Sequence, residues 1–289
     1  YIPVYSNLKQ NQNERNDRNP FKFFFEFLFD SSFLNISISY LFNFMIPTFI
    51  MLMVTFAYNK SLAADIAITS SILITLTQIF SSNMKAQIIA NNDLELSNYT
   101  ILFRIFFSIF FALLFPLIYF NQSSFVYENF FTVYLLVIVI LIQWICEIIL
   151  SNKEIKKENS VFINYNLINF IFLMLFFLII LSVNEKLNHI LIVYIIFILS
   201  FLILGITVEN VKFSLNNLKK GLTLNIKSFA FLSSTSLIVS SIIWRLIIFN
   251  LFPKSVSAII FACFSLGSFP GTAFNLAIGP TYVRRNISL

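Results

Sequence analysis

FFTVYLLVIVILIQWICEIIL, residues 130–150, holds a single charged side chain, Glu147, in twenty-one positions. As an α-helix it would rise about 31 Å at 1.5 Å per residue, which matches a bilayer hydrocarbon core of about 30 Å. The apolar residues run on without the period-two alternation of a membrane β-strand. The segment therefore reads as a transmembrane helix. Seven more stretches read the same way: 39–58, 62–82, 100–120, 161–183, 190–208, 228–249 and 256–278. A soluble core fails as an alternative, because it would have to wrap eight helices that are apolar on all faces. With 58% hydrophobic and 11% charged residues, the composition lies far outside the range of a soluble domain. The expected fold class is all-α, a polytopic helical membrane bundle of about eight spans.

The basic residues orient it. Lys9, Arg15, Arg18, Lys22, Lys85, Lys153, Lys156, Lys157, Lys212, Lys219, Lys220, Lys227, Arg284 and Arg285 all fall on one side of the expected membrane, against Lys60, Lys186 and Lys254 on the other. The positive-inside rule then places the N-terminus in the cytoplasm. The net charge of +6 is thereby accounted for without nucleic acid, and lysines such as Lys219 and Lys220 are placed to meet anionic lipid headgroups.

The chain lacks an initiator Met and stops shortly after a helix, which reads as a fragment at one or both ends. Residues 1–20 read as a solvated tail rather than a signal peptide. In the Phe-rich segment 21–30, Lys22, Glu26 and Asp30 recur every four residues, so a helix there would lie in the membrane interface or simply extend the first span. The division expected is a tail and interfacial segment at 1–38, six helices at 39–208, a cytoplasmic linker at 209–227 and two further helices at 228–289. The abundance of Phe is assigned no function. Cys146 and Cys263 read as small buried apolar residues, and His189, at the outer end of a helix, as interfacial. Neither a metal site nor a cofactor is expected.

Ionisable groups at membrane depth are costly and mark functional sites by default. Arg104 and Glu147 lie near the cytoplasmic boundary, where snorkelling explains them. Asp65 lies near the outer end of the second span. Arg245 lies deeper, in the outer half of the seventh, and is the strongest candidate for a polar cavity. In the second span Ser71, Thr75 and Gln78 share one helical face, and in the seventh Ser234, Ser241 and Arg245 do. Such stripes also serve as interhelical glue, but the fifth and sixth spans read as almost wholly Leu, Ile, Phe, Val and Met. The eighth span carries Gly267, Pro270 and Gly271, a pattern for close helix approach and for a bend. Pro47 and Pro116 are expected to bend the first and third spans in the same manner.

A shift of 194 residues lays Lys60, Ser61, Ala64, Ile66, Ser71 and Phe80 on Lys254, Ser255, Ala258, Ile260, Ser265 and Phe274, as in a parallel transporter repeat. The run Trp244-Arg245-Leu246-Ile247-Ile248, then Phe252-Pro253-Lys254-Ser255, Ala258 and Phe264-Ser265-Leu266-Gly267 resembles the start of the second half of Wzx-type polysaccharide flippases. These belong to the superfamily (MOP) that also holds the multidrug (MATE) exporters. The turn Asn59-Lys60-Ser61-Leu62-Ala63-Ala64 resembles the matching point of the first half. The family usually carries an acidic residue before the arginine; here it is Trp244, which leaves Arg245 without that intrahelical partner.

The resemblance implies a MATE-like fold of twelve or more helices, of which a six-helix half and the opening of a second are present. It places the first, second, seventh and eighth helices around a central cavity. It further implies a bacterial cytoplasmic membrane location, a lipid-linked (undecaprenyl-type) sugar as substrate, membrane lipids and other polysaccharide-assembly proteins as partners, and alternating access rather than an enzymatic activity. A guanidinium in the cavity would suit a pyrophosphate. The alternatives are a cation-coupled multidrug exporter, in which Asp65 or Glu147 carries the coupling ion, and a membrane polymerase or ligase acting on lipid-linked sugars. A purely structural membrane subunit is the fourth reading. The enzyme reading lacks a carboxylate pair or His cluster in the outer loops.

Overall fold

Asn59, Asp93 and Ser214 each start a helix in the same way, with a side-chain oxygen that accepts a backbone N–H of the first turn, at 2.9 Å from Ser61, 2.9 Å from Leu96 and 3.2 Å from Asn217. These are N-caps, and they separate helices whose apolar runs would otherwise merge. Two helices end on a non-glycine residue in the left-handed region, Asn92 (φ 52°) and Lys157 (φ 59°). Glu158 N–H then donates back to Lys153 O at 3.0 Å, and Lys157 N–H to Glu154 O at 3.2 Å, a Schellman closure.

The computed structural model describes residues 31–57, 59–81, 84–121, 125–182, 187–208, 214–227 and 229–273. The helices are α1 (Ser31–Ala57), α2 (Lys60–Ser81), α3 (Met84–Asn91), α4 (Leu94–Asn121), α5 (Phe130–Ile155), α6 (Asn159–Ser182), α7 (Leu187–Val208), α8 (Leu215–Lys227), α9 (Phe229–Leu251) and α10 (Lys254–Ala273), with a 3₁₀ turn at Tyr127–Asn129. No strand occurs among the described residues. The expected tail and interfacial helix at 1–30 lie outside the described residues.

The protein is an all-α polytopic membrane bundle. Five helices, α2 and α4 to α7, are long and apolar enough to cross a membrane on their own. The first qualifies as a pair, Ser31–Asn43 and Met45–Phe56, set at 53° to each other. Pro47 explains the position of that bend, because its ring displaces the carbonyl four residues back, at Asn43, and removes the N–H that would bond to it. By contrast α4 runs as one helix through Pro116. Of the eight expected spans, the last two are present as α9 and α10. Their described apolar runs, Ile242–Leu251 and Lys254–Gly267, are shorter than a full crossing.

Burial sorts the helices into a centre and a rim. The apolar stretch of α5 is 89% buried, whereas those of α4 and α6 are 28% buried. A helix that is apolar all round belongs inside, and α5 packs against α1, α2, α3, α4, α6 and α7. The outward faces of α4, α6 and α7 carry Leu113, Phe170 and Leu204 exposed, as a surface that meets lipid requires. A second hub is α2, which packs against α1, α5, α9 and α10.

The segment expected as a linker contains a docked helix. α8 lies on α4, with Lys220 Nζ 3.3 Å from the Tyr99 hydroxyl. A Cβ on Gly221 would sit 2.5 Å from the Tyr99 carbonyl oxygen, so only glycine allows this approach. Gly205 does the same for α7 on α5, where a Cβ would meet Ile149 Cγ2 at 2.7 Å.

Candidate functional site

Polar residues gather at four places inside the bundle among the described residues. The first is at the end remote from the Lys-rich turns. Asp65, in the second turn of α2, is fully buried. One carboxylate oxygen accepts from Lys254 Nζ at 2.8 Å. The other accepts from Asn129 Nδ2 at 2.7 Å and from the Val126 backbone N–H at 3.3 Å. Lys254 opens α10, so the ion pair ties α2 to α10. The Phe125 ring, next to Val126, packs at 5.4 Å on Phe249 of α9, and Lys254 Nζ lies 5.5 Å from the same Phe249 ring. Asp65, a substrate-cavity candidate from the sequence alongside Ser71, Thr75 and Gln78, thus sits in a junction where its charge and lone pairs are satisfied, as a buried carboxylate requires.

The second group surrounds Arg245. Six residues before the end of α9, it lies about 9 Å inside that helix end. It is half-buried, and its guanidinium carbon stands 5.2 Å from the Phe264 ring and 5.6 Å from the Trp244 ring. Both distances suit cation–π attraction. Among the described residues Arg245 makes no ion pair. Trp244 in turn meets Phe264 edge to face at 4.9 Å, joining α9 to α10.

The helix carrying Arg245 packs against α2, where Thr75 is buried and Ser71 half-buried. Of the four helices that the resemblance places around a central cavity, α2 packs against α1, α9 and α10, and α10 also packs against α1. The side chains of Gln78, Ser234, Ser241 and Pro270 lie outside the described residues. A Cβ built on Gly267 or Gly271 meets no described atom within 4 Å, so the close approach expected of them is not made among the described residues. Cys263 is exposed rather than buried, while Cys146 is buried as expected.

The third group corrects the reading of Arg104 and Glu147 as snorkelling residues. Arg104 is fully buried, and its Nη1 lies 2.8 Å from Glu147 Oε2. The same nitrogen donates to the Trp144 carbonyl, and the guanidinium carbon lies 4.9 Å from the Trp144 ring. Around this pair, Tyr40 donates to Glu154 Oε2 at 3.0 Å, and Lys85 Nζ lies 3.1 Å from the centre of the Tyr40 ring. Lys85 belongs to the short α3, outside the spans. Burial pushes its ammonium down to about 8, opposed by the attraction of Glu147 and Glu154. The cluster pins α1, α3, α4 and α5 together at the Lys-rich end.

Sequence reading also missed a polar chain through the middle of the bundle. Gln143 of α5 donates to the Tyr194 hydroxyl at 3.0 Å, and Tyr194 of α7 donates to Asn169 Oδ1 at 2.6 Å. On α6, Asn169 Nδ2 donates to the Tyr165 carbonyl at 2.6 Å, and the Tyr165 hydroxyl donates to Asn43 of α1. The fifth and sixth spans are therefore apolar toward lipid but polar where they meet α1 and α5. No cluster of three or more His, Cys, Asp or Glu suited to a metal ion occurs among the described residues.

Comparison of the chain with models of protein families, with curated proteins and with solved structures returned no match.

Proposed function

We propose that this protein is a transporter that moves a lipid-linked oligosaccharide across the bacterial cytoplasmic membrane by alternating access. The observation that carries the reading is Arg245, a membrane-depth guanidinium held by two aromatic rings and no described carboxylate. An arginine there with no carboxylate partner among the described residues suits an anion site, because a phosphate or pyrophosphate accepts its planar donors in pairs. Its helix, α9, packs against α2 and α10, which belong to what the 194-residue shift reads as two parallel halves.

In this reading the Lys-rich end faces the cytoplasm and the Asp65–Lys254 end faces outward. Rocking of one half against the other around a midplane site is a known transporter motion. The Asp65–Lys254 pair is then the outer latch, closed here and opened when the sugar leaves. The exporter alternative needs a carboxylate that exchanges a proton or sodium ion. Asp65 and Glu147 each already hold a cation at 2.8 Å, which favours the flippase.

The test is reconstitution in sealed vesicles with a fluorescent polyprenyl-pyrophosphate oligosaccharide in both leaflets. The proposal expects label in one leaflet to become accessible to a membrane-impermeant reagent on the other side, at a rate that scales with protein. Translocation no faster than in protein-free vesicles would refute it.

A further inference from the structure

A crevice between α6 and α7, on the rim of the bundle, is independent of the proposed transport site. Its wide part encloses about 550 Å³, in the range of pockets that bind small molecules, and is walled by Leu167, Ile168, Phe197 and Leu204 over a floor at Ile149. Its narrow continuation, about 80 Å³, shares Ile168 and Phe197 and extends to Leu175 and Ile190. From Val161 to Leu175 the crevice follows α6 for about 21 Å at 1.5 Å per residue, most of one hydrocarbon core.

Its two ends differ in chemistry. Lys153, Glu158 and Asn164 border the wide part near the Lys-rich end, and Lys156 and Lys157 stand exposed on the turn beside it. Lys153 and Glu158 are paired at 3.0 Å, and with Glu154 counted the segment 153–158 carries three lysines against two glutamates, a net positive charge. Apart from Ser200 and Tyr194 the remainder is hydrocarbon, and Leu167, Phe197 and Leu204 are each more than half exposed. A helix, about 10–12 Å across with its side chains, does not fit the narrow part; a single alkyl chain does.

We infer that this crevice is a resident-lipid site: one acyl chain of an anionic glycerophospholipid lies along α6 and α7, with its phosphate held by Lys153, Lys156 and Lys157. Basic positions between membrane helices at the headgroup level bind anionic lipid in this way.

The test places a tryptophan in the shared wall, Phe197→Trp, and a control on the lipid-facing side of α4, Leu113→Trp. The full chain is reconstituted in phosphatidylcholine vesicles with increasing chain-brominated phosphatidylglycerol or chain-brominated phosphatidylcholine. The wild-type signal from Trp144 and Trp244 is subtracted. The site predicts half-maximal quenching at position 197 at a several-fold lower fraction of the anionic lipid than of the zwitterionic one, with no such preference at 113. Lys153→Gln should remove the preference. Lys156→Gln/Lys157→Gln, both exposed and outside the packed interior, should weaken it without disturbing the fold. Equal quenching by the two lipids at 197, the same preference at 113, or a preference that survives all three lysine changes would overturn the inference.

Discussion

Asp65 and Lys254, 189 residues apart in the chain, meet at 2.8 Å with the carboxylate fully buried. Removing only the cation leaves that carboxylate stranded, which in buried pairs costs about 3–5 kcal/mol. Lys254→Gln should therefore lower the thermal unfolding midpoint in detergent. Asp65→Asn/Lys254→Gln, which leaves no buried charge and keeps an acceptor for Asn129, should recover most of the loss. A double variant as unstable as the sum of the singles would show that the two side chains act separately.

Lys85 makes stability depend on pH. Burial holds its folded-state value near 8, below the ordinary 10.5, so the unfolded chain binds the extra proton between those values. Stability should rise as pH increases through that window. Lys85→Met, which removes the titrating group while keeping an aliphatic side chain over Tyr40, should flatten the rise measured by thermal unfolding between pH 8 and 10.5.

Tyr194→Phe deletes one donated and one accepted hydrogen bond in the chain from Gln143 to Asn43. Interhelical bonds in membranes average about 0.6 kcal/mol and reach about 1.7, so a loss of about 1–2 kcal/mol is expected in a reversible unfolding assay. Ser200→Ala should be near neutral, because the exposed Ser200 hydroxyl bonds, among the described residues, to the Ile196 carbonyl of its own helix.

Gly221→Ala should release α8 from α4, since the added carbon would sit 2.5 Å from the Tyr99 carbonyl oxygen. Hydrogen exchange over residues 214–227 should accelerate, while α5 remains protected.

What could be read in the sequence follows from the forces involved. Span lengths are set by bilayer thickness, so α4 to α7 stand out from their apolar runs alone. The break near Asn43 follows from Pro47. Pairings between distant helices leave no periodic trace, so Asp65–Lys254 and Arg104–Glu147 went unread although all four residues were noticed singly. The chain from Gln143 to Asn43 was missed for a related reason. A search for polar stripes rewards several polar residues on one helix, and here four helices supply one or two each. Gly205 and Gly221 were passed over because the four-residue spacing of Gly267 and Gly271 drew the packing argument, whereas among the described residues the tight contacts are at the former pair.

The central claim is that Arg245 recognises the anionic headgroup of the transported lipid. The most direct measurement is translocation of the lipid-linked oligosaccharide by Arg245→Glu and Arg245→Lys in reconstituted vesicles, at matched amounts of folded protein. The account predicts that Arg245→Glu abolishes transport and that Arg245→Lys, which keeps the charge but loses the planar pair of donors, retains part of it. Transport at the wild-type rate in Arg245→Glu would contradict the account.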